Sequence, residues 1–454
     1  MTHSLSISLK KENHHSLFSV ETLLLVSIFH VSLAIGSKYI PVLSTIHALT
    51  TFVIGIYLSF SSKTAKTIVL VVSYIIGAEL FWRMTGANVF WEFGKYASLA
   101  VIVIGLIRFK QWKKALLPLL YLALLLVSIP ATITWFGWGS QAREAISFNF
   151  SGPLLLAFSV IFFSQVRLGL IQLKQIAWIM TIPIISVFTL AFFSTITEQR
   201  IVFTTESNFA TSGGFGPNQV SAILSLGVVM MFLIILFEKN RQVRLIALVL
   251  FIFFLVQSIL TFSRGGLFNA VMCIFFAVLH ILQNRRSRTR FLFLFSTVVL
   301  VSVFVLYPRL DSFTNGFLTQ RFTDTNLTNR GEIALGEILV WRDYPLFGTG
   351  PGVSKYMTLR YTGIYAAAHT EYTRLLSEHG IFGLMALLLL VIIIIQSYKR
   401  TPGWLYKTWV VVFLLWPLAE MTHSAMRIAA IPVLLGMANI NWLSKINNLK
   451  NNID

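Results

Sequence analysis

Long apolar runs recur along the whole chain, and they restrict what it can fold into. The stretches 23–35, 68–80, 116–133, 220–237, 245–260, 291–306 and 381–395 are almost free of charge. With their flanks they approach the ~20 residues that a helix needs to cross a bilayer. Backbone groups in lipid must find partners inside the chain, and the weak alternation of an outer-membrane barrel is absent, so the spans are expected to be helices. A composition of 56% hydrophobic and 12% charged residues agrees with this. The fold class expected is an all-α polytopic membrane protein of about 12–14 transmembrane helices, with one large periplasmic loop containing short helices.

Charge placement orients the chain. Basic clusters fall at Lys10/Lys11, Lys63/Lys66, Arg108/Lys110/Lys113/Lys114, Arg167/Lys174, Lys239/Arg241/Arg244, Arg285/Arg286/Arg288/Arg290, Lys399/Arg400/Lys407 and Lys445/Lys450. Successive clusters are separated by enough apolar sequence for two crossings. If all lie in the cytoplasm, both termini are inside and the polar stretch 308–383 is outside. The stretches near 91–109 and 421–442 give the weakest signals for a span. The expected division is 1–307 transmembrane helices with short loops, 308–380 a large periplasmic catalytic loop, and 381–454 C-terminal transmembrane helices. The polar stretch 1–17 does not read as a cleavable signal, so the first apolar run is expected to remain as an anchor.

The net charge of +19 follows from the same topology, because well over half of the 36 basic residues sit in those clusters. It implies contact with the anionic lipid bilayer rather than with nucleic acid. The single cysteine, Cys273, lies in an apolar run and reads as a small buried hydrophobe; no disulfide within the chain is possible.

The outer face carries arginines that topology does not explain: Arg143, Arg200, Arg264, Arg321, Arg330, Arg342, Arg360, Arg374 and Arg427. Guanidinium groups suit bidentate binding of phosphate or carboxylate. Glu144, Glu206, Asp311, Glu332, Asp343 and Glu371 are available to balance some of them. Gly213, Gly214 and Gly216 precede Pro217, Asn218 and Gln219 at a helix start near Val220, where free N–H groups attract phosphate. Residues 261–266 read as a tight turn between two helices that holds Arg264 at the membrane edge. In the large loop, Trp341 to Gly352 reads as a helix ending at Pro345 and then a glycine turn. Residues 369–383 read as a helix entering the next span, with Arg374 and Glu378 at i,i+4 and His369 at its start, where the dipole keeps the imidazole neutral. A neutral histidine facing arginines can take a proton from a sugar hydroxyl. His379 is expected in the turn before Gly380.

These elements, in order, resemble the O-antigen ligase and polymerase superfamily: Ser263, Arg264, Gly265 and Gly266, then Arg330, then Trp341, Pro345, Gly348 and Gly350, then His369, Glu378 and Gly380 before a span. The resemblance implies an enzyme of the bacterial inner membrane with its active site facing the periplasm. Its donor is an undecaprenyl-diphosphate-linked glycan, and its acceptor is the lipid A core for a ligase or a second lipid-linked glycan for a polymerase. It needs no cofactor and no metal. The large histidine-bearing loop favours ligation. Arg264 and His369 are the catalytic candidates, and Arg143, Arg200, Arg330, Arg374, Asn218 and Glu378 the candidates for binding diphosphate or glycan. Thr370 departs from the amide or serine frequent in the family after the loop histidine. Asp324 and Asp343 stand alone, without the paired aspartates of metal-dependent transferases. A transporter or flippase of lipid-linked oligosaccharide is the rival, and it needs paired ionisable groups near the bilayer midplane. Glu79 is its best candidate, with Glu420 and His423 nearer the surface.

Overall fold

The computed structural model describes residues 18–443 apart from 88, 111, 113, 285–287, 290, 291, 293–295, 297–299, 301 and 325–329. The signal-anchor reading of 1–17, half of the apolar run 291–306, and Lys10, Lys11, Lys113, Arg285, Arg286, Arg290, Lys445 and Lys450 therefore lie outside the described residues.

The protein is an all-α polytopic membrane protein. Among the described residues, ten segments are long and apolar enough to cross a bilayer. They are α1 Val20–Tyr39, α2 Val42–Ser61, α3 Ala65–Met84, the pair α5 Leu116–Leu126 and α6 Ile129–Phe136, α7 Ser140–Phe163, α8 Leu170–Thr197, α9 Pro217–Phe237, α10 Arg241–Leu260, α11 Arg264–Ile281 and α16 Glu371–Arg400. Two further helices, α4 Phe93–Phe109 and α17 Gly403–Glu420, pack among them. α8 and α9 form the centre of the bundle, whereas α1 and α2 stand at its edge with Leu24, Leu25, Ile28 and Phe29 exposed. In a bilayer those side chains meet lipid, which is as apolar as a protein core.

The two ends of the bundle differ in charge. At one end Arg108 Nη1 donates to Ser59 O at 2.8 Å, Lys174 pairs with Glu238 at 2.8 Å, and a two-residue parallel pairing joins β1 Arg167–Leu168 to β2 Asn441–Trp442. At the other end lie four short helices: α12 Tyr307–Phe313, α13 Phe317–Thr323, α14 Arg330–Asp343 and α15 Ser354–Thr362. Leu310 and Leu318 of α12 and α13 share a small core with Phe203, Leu260 and Phe262, which seats this loop on the α10–α11 turn. Arg321 is buried there, its Nε donating to Phe262 O at 2.9 Å and its Nη1 to Thr205 O at 2.6 Å. That arginine fastens the loop.

The irregular region near 421–442 is a broken helix. α17 stops at Glu420, residues 421–429 continue as turns, with Ser424 N donating to Glu420 O at 2.9 Å and Ala425 at φ +51°, and the eight-residue α18 Ala430–Met437 completes the passage. Exposed backbone is costly inside a membrane, and here buried carboxylates satisfy it. Glu371 Oε2 accepts from Met426 N at 3.2 Å, and Glu79 Oε2 from Ala429 N at 2.6 Å.

The glycine turn after Pro345 also proves to be a packing device. Gly348 has φ +68°, and a Cβ on it would lie 2.3 Å from the Glu378 carbonyl carbon. Only glycine lets this turn lie against α16, where Thr349 N donates to Ser377 O (3.0 Å) and Gly350 N to Glu378 O (2.9 Å). α16 breaks at Gly380, as its non-helical φ and ψ show. His379 is buried inside α16 rather than lying in a surface turn, with Nδ1 2.5 Å from Ser128 Oγ at the α5–α6 break.

Candidate active site

The tight turn between α10 and α11 is built as its sequence suggests. Phe262 takes φ +57°, Ser263 is the N-cap, and Arg264 opens α11. Ser263 Oγ donates to Asn218 Oδ1 at 2.9 Å, and Arg330 Nη2 donates to the same oxygen at 3.1 Å. One amide oxygen on the first turn of α9 therefore ties the α11 turn to the start of α14. Arg264 Nη1 donates to Asp324 O. Burial and the charge of Arg264 both push the Arg330 guanidinium below its usual range, so two cations are held within reach of each other. Such a pair stores repulsion that an anion relieves. The glycine after Arg264 serves close packing. A Cβ on Gly265 would lie 2.4 Å from His423 Nε2, so α11 can approach the broken span only with glycine here.

His369 lies beside this pair. Thr370, not His369, caps α16, accepting from Tyr372 N at 3.1 Å and Thr373 N at 3.3 Å. The imidazole is held neutral, its pKa lowered to about 4 by burial first and then by the charges of Arg427 and Arg330. Desolvation is the leading cause and the neighbouring cations come next. Its Nδ1 is buried with no hydrogen-bond partner. Arg427 Nη2 donates to Ala368 O at 2.7 Å and so holds the chain just before His369. Its own carbonyl accepts from Arg83 Nη1 at 3.1 Å, and Arg83 Nη2 lies 2.6 Å from Glu79 Oε1. Glu420 accepts from Asn269 Nδ2 at 2.6 Å and Ser424 Oγ at 2.7 Å, with His423 Nε2 3.2 Å away. Glu79 thus pairs on its own helix and pins the broken span, which is a structural use of the group a transporter reading would need.

Arg374 and Glu378 stand in a neighbouring arrangement. Arg374 meets Glu371 at 2.5 Å and Glu378 at 2.7 Å, and Gly352 N donates to the other oxygen of Glu378 at 2.8 Å. These groups form the floor of a cavity of about 440 Å³ between α7, the glycine turn, α16 and residues 425–427.

The structure therefore gathers Asn218, Arg264, Arg330 and His369 at the loop end, and places Arg374 and Glu378 in the adjoining cavity wall. Arg143, at the start of α7, and Arg200, after α8, are exposed and make no ion pair among the described residues. Arg83, Arg427 and His423 complete the cluster. Their signal in the sequence is a charged group in apolar context at the end where the topology rule does not favour cations. Among the described residues no group of three or more His, Cys, Asp or Glu could hold a metal ion.

Residues 249–388 match the model of a family described as O-antigen ligase. The matched stretch runs from α10 through the loop into α16, contains Arg264, Arg330, His369, Arg374 and Glu378, and supports the O-antigen ligase and polymerase superfamily. No curated protein matches the chain.

Proposed function

We propose, from the match of residues 249–388 to the O-antigen ligase family, that this chain is a glycosyltransferase moving a glycan from undecaprenyl diphosphate onto an acceptor hydroxyl. The first reading is ligation to lipid A core at the periplasmic face of the inner membrane. The observation that carries it is the convergence of Arg264, Arg330 and a neutral His369 at the loop end of the bundle.

In this reaction the bond from the anomeric carbon to the diphosphate oxygen breaks as the acceptor oxygen bonds to that carbon. Charge develops on the departing diphosphate. Arg264, held by the Asp324 carbonyl, and Arg330, held by Asn218, stabilise that charge. The acceptor hydroxyl loses its proton to His369, whose unpartnered Nδ1 is free to receive it. Arg427 sets the position of His369 through Ala368 and keeps the imidazole neutral until that step. The basic residues Arg108, Lys174, Lys239, Arg241, Lys399 and Arg400 at the opposite end favour a cytoplasmic placement for that end.

The test is transfer by purified protein in detergent, with an undecaprenyl-diphosphate glycan as donor and lipid A core as acceptor, with and without EDTA. A high-mass lipid A product lost in His369→Ala and Arg264→Ala supports ligation. Lengthening of the donor glycan without use of lipid A means polymerisation. Absence of transfer to either acceptor overturns the assignment. Loss of the product with EDTA overturns metal independence.

A further inference from the structure

We propose that the 440 Å³ cavity beside the active site binds an acidic substituent, a phosphate monoester or a carboxylate, carried by a glycan, with Lys95 as its buried counter-ion.

Lys95 lies in the first turn of α4, where the positive end of the helix dipole opposes a cation. It is only 2% exposed. Its ammonium donates to Ser151 Oγ at 3.1 Å, a neutral partner, and no carboxylate forms an ion pair with it among the described residues. The charged groups around it are Arg83, Glu79, Glu92 and Glu371. Glu79 is committed to Arg83 and Ala429, and Glu371 to Arg374 and Met426. A cation buried at an unfavourable helix end without a counter-ion is a costly feature, and an anionic ligand removes the cost.

The cavity wall has the rest of such a site. Its lining holds four cationic side chains, Lys95, Lys355, Arg374 and Arg427, against three carboxylates, Glu144, Glu371 and Glu378. Two of those carboxylates are spent on Arg374. Lys355 sits at the rim with its ammonium 5.0 Å from the Tyr356 ring, and Phe136 packs edge-on against the same ring at 5.6 Å. Aromatic faces beside polar groups suit a sugar, and the volume falls in the ~300–1,000 Å³ range of small-molecule sites. Ala368, directly before His369 in the chain, lines the cavity. That the ligand is a glycan rests on the transfer reading; that it is anionic rests on Lys95 and on the excess of cations in the lining.

The experiment measures binding rather than turnover. The full-length protein in detergent is titrated at low salt with a neutral trisaccharide, the same trisaccharide bearing one glucuronate, and the same trisaccharide bearing one phosphate monoester. At least one acidic form is expected to bind ten-fold or more tightly than the neutral form, and which one does so identifies the substituent. Lys95→Met, similar in length and uncharged, is expected to abolish the preference. Equal binding of all three, or a preference that survives Lys95→Met, overturns the proposal. Should that variant fail to fold, Lys355→Ala at the rim is expected to lower the preference several-fold, and an unchanged preference overturns the proposal equally. Acid-selective binding by a protein that transfers nothing sinks the transfer reading alone. Transfer without acid selectivity sinks this one alone.

Discussion

Arg374 and Glu378, one helical turn apart on α16, form a 2.7 Å ion pair with both residues buried, at 4% and 3% exposure. Glu371 completes a triad in which one guanidinium balances two carboxylates. Breaking a buried pair by removing one partner leaves charge uncompensated, at a cost of about 3–5 kcal/mol. Arg374→Met is expected to lower the melting temperature in detergent and the yield of folded protein. A variant that stays as stable as the wild type but transfers nothing would instead place Arg374 on the substrate.

The packing role of the glycine turn separates two kinds of substitution. Gly348→Ala meets both a left-handed φ and the backbone of α16, and is expected to destabilise by more than about 3 kcal/mol. Gly363 has φ +69°, but a Cβ there would meet nothing within 4 Å, so Gly363→Ala should cost only the conformational penalty of about 1–2 kcal/mol. Equal melting temperatures for the two variants would contradict this account.

On the proposed reading, the protonation state of His369 sets the pH dependence of transfer. With its pKa lowered to about 4, the base is available at neutral pH, and activity is expected to decline only as pH falls through that value. Arg427→Gln removes one of the cations opposing protonation, so the acid limb of the profile should move upward. The position of the limb, not the absolute rate, is the readout. A limb that stays in place would show that another group titrates.

Glu337 of α14 has the opposite behaviour. Burial pushes its carboxyl up to about 8, with Glu378 and Glu371 adding to the effect while the Thr373 hydroxyl, donating at 2.5 Å, and Arg374 oppose it. A folded value above the unfolded 4.5 means a contribution to stability that is complete below about 4.5 and is lost as pH rises through about 8. Thermal unfolding between about pH 4.5 and 8 should show this decline, and Glu337→Gln should flatten it. A wild-type curve already flat in that window would rule it out.

The spans and the motif residues were legible because each signal is local. Runs such as 220–237 declare themselves as helices in lipid, and Ser263 to Gly266 form a turn from their own sequence. What stayed hidden depends on residues far apart in the chain. The break at 421–429 is tolerable only because Glu79 and Glu371 arrive from α3 and α16 to bind its amides. Lys95 sits in the short, irregular span near 91–109, and its burial follows from α7 packing over it. The i,i+4 spacing of Arg374 and Glu378 was readable, and so was Glu371 as a counter-charge. Their joint burial with Glu371 as one ion-paired triad was not.

The passage through 421–429 has a consequence for how this site can change. A continuous helix would hold His423 and Arg427 four residues, or about 6 Å, apart along one axis, and any inserted residue would rotate everything after it by about 100°. Here the two side chains hang on a series of turns anchored by carboxylates from other helices, and α18 resumes beyond it. Lengthening or shortening that stretch would shift the cations beside His369 while α18 kept its register. The geometry around His369 can therefore be retuned at low cost to the rest of the bundle.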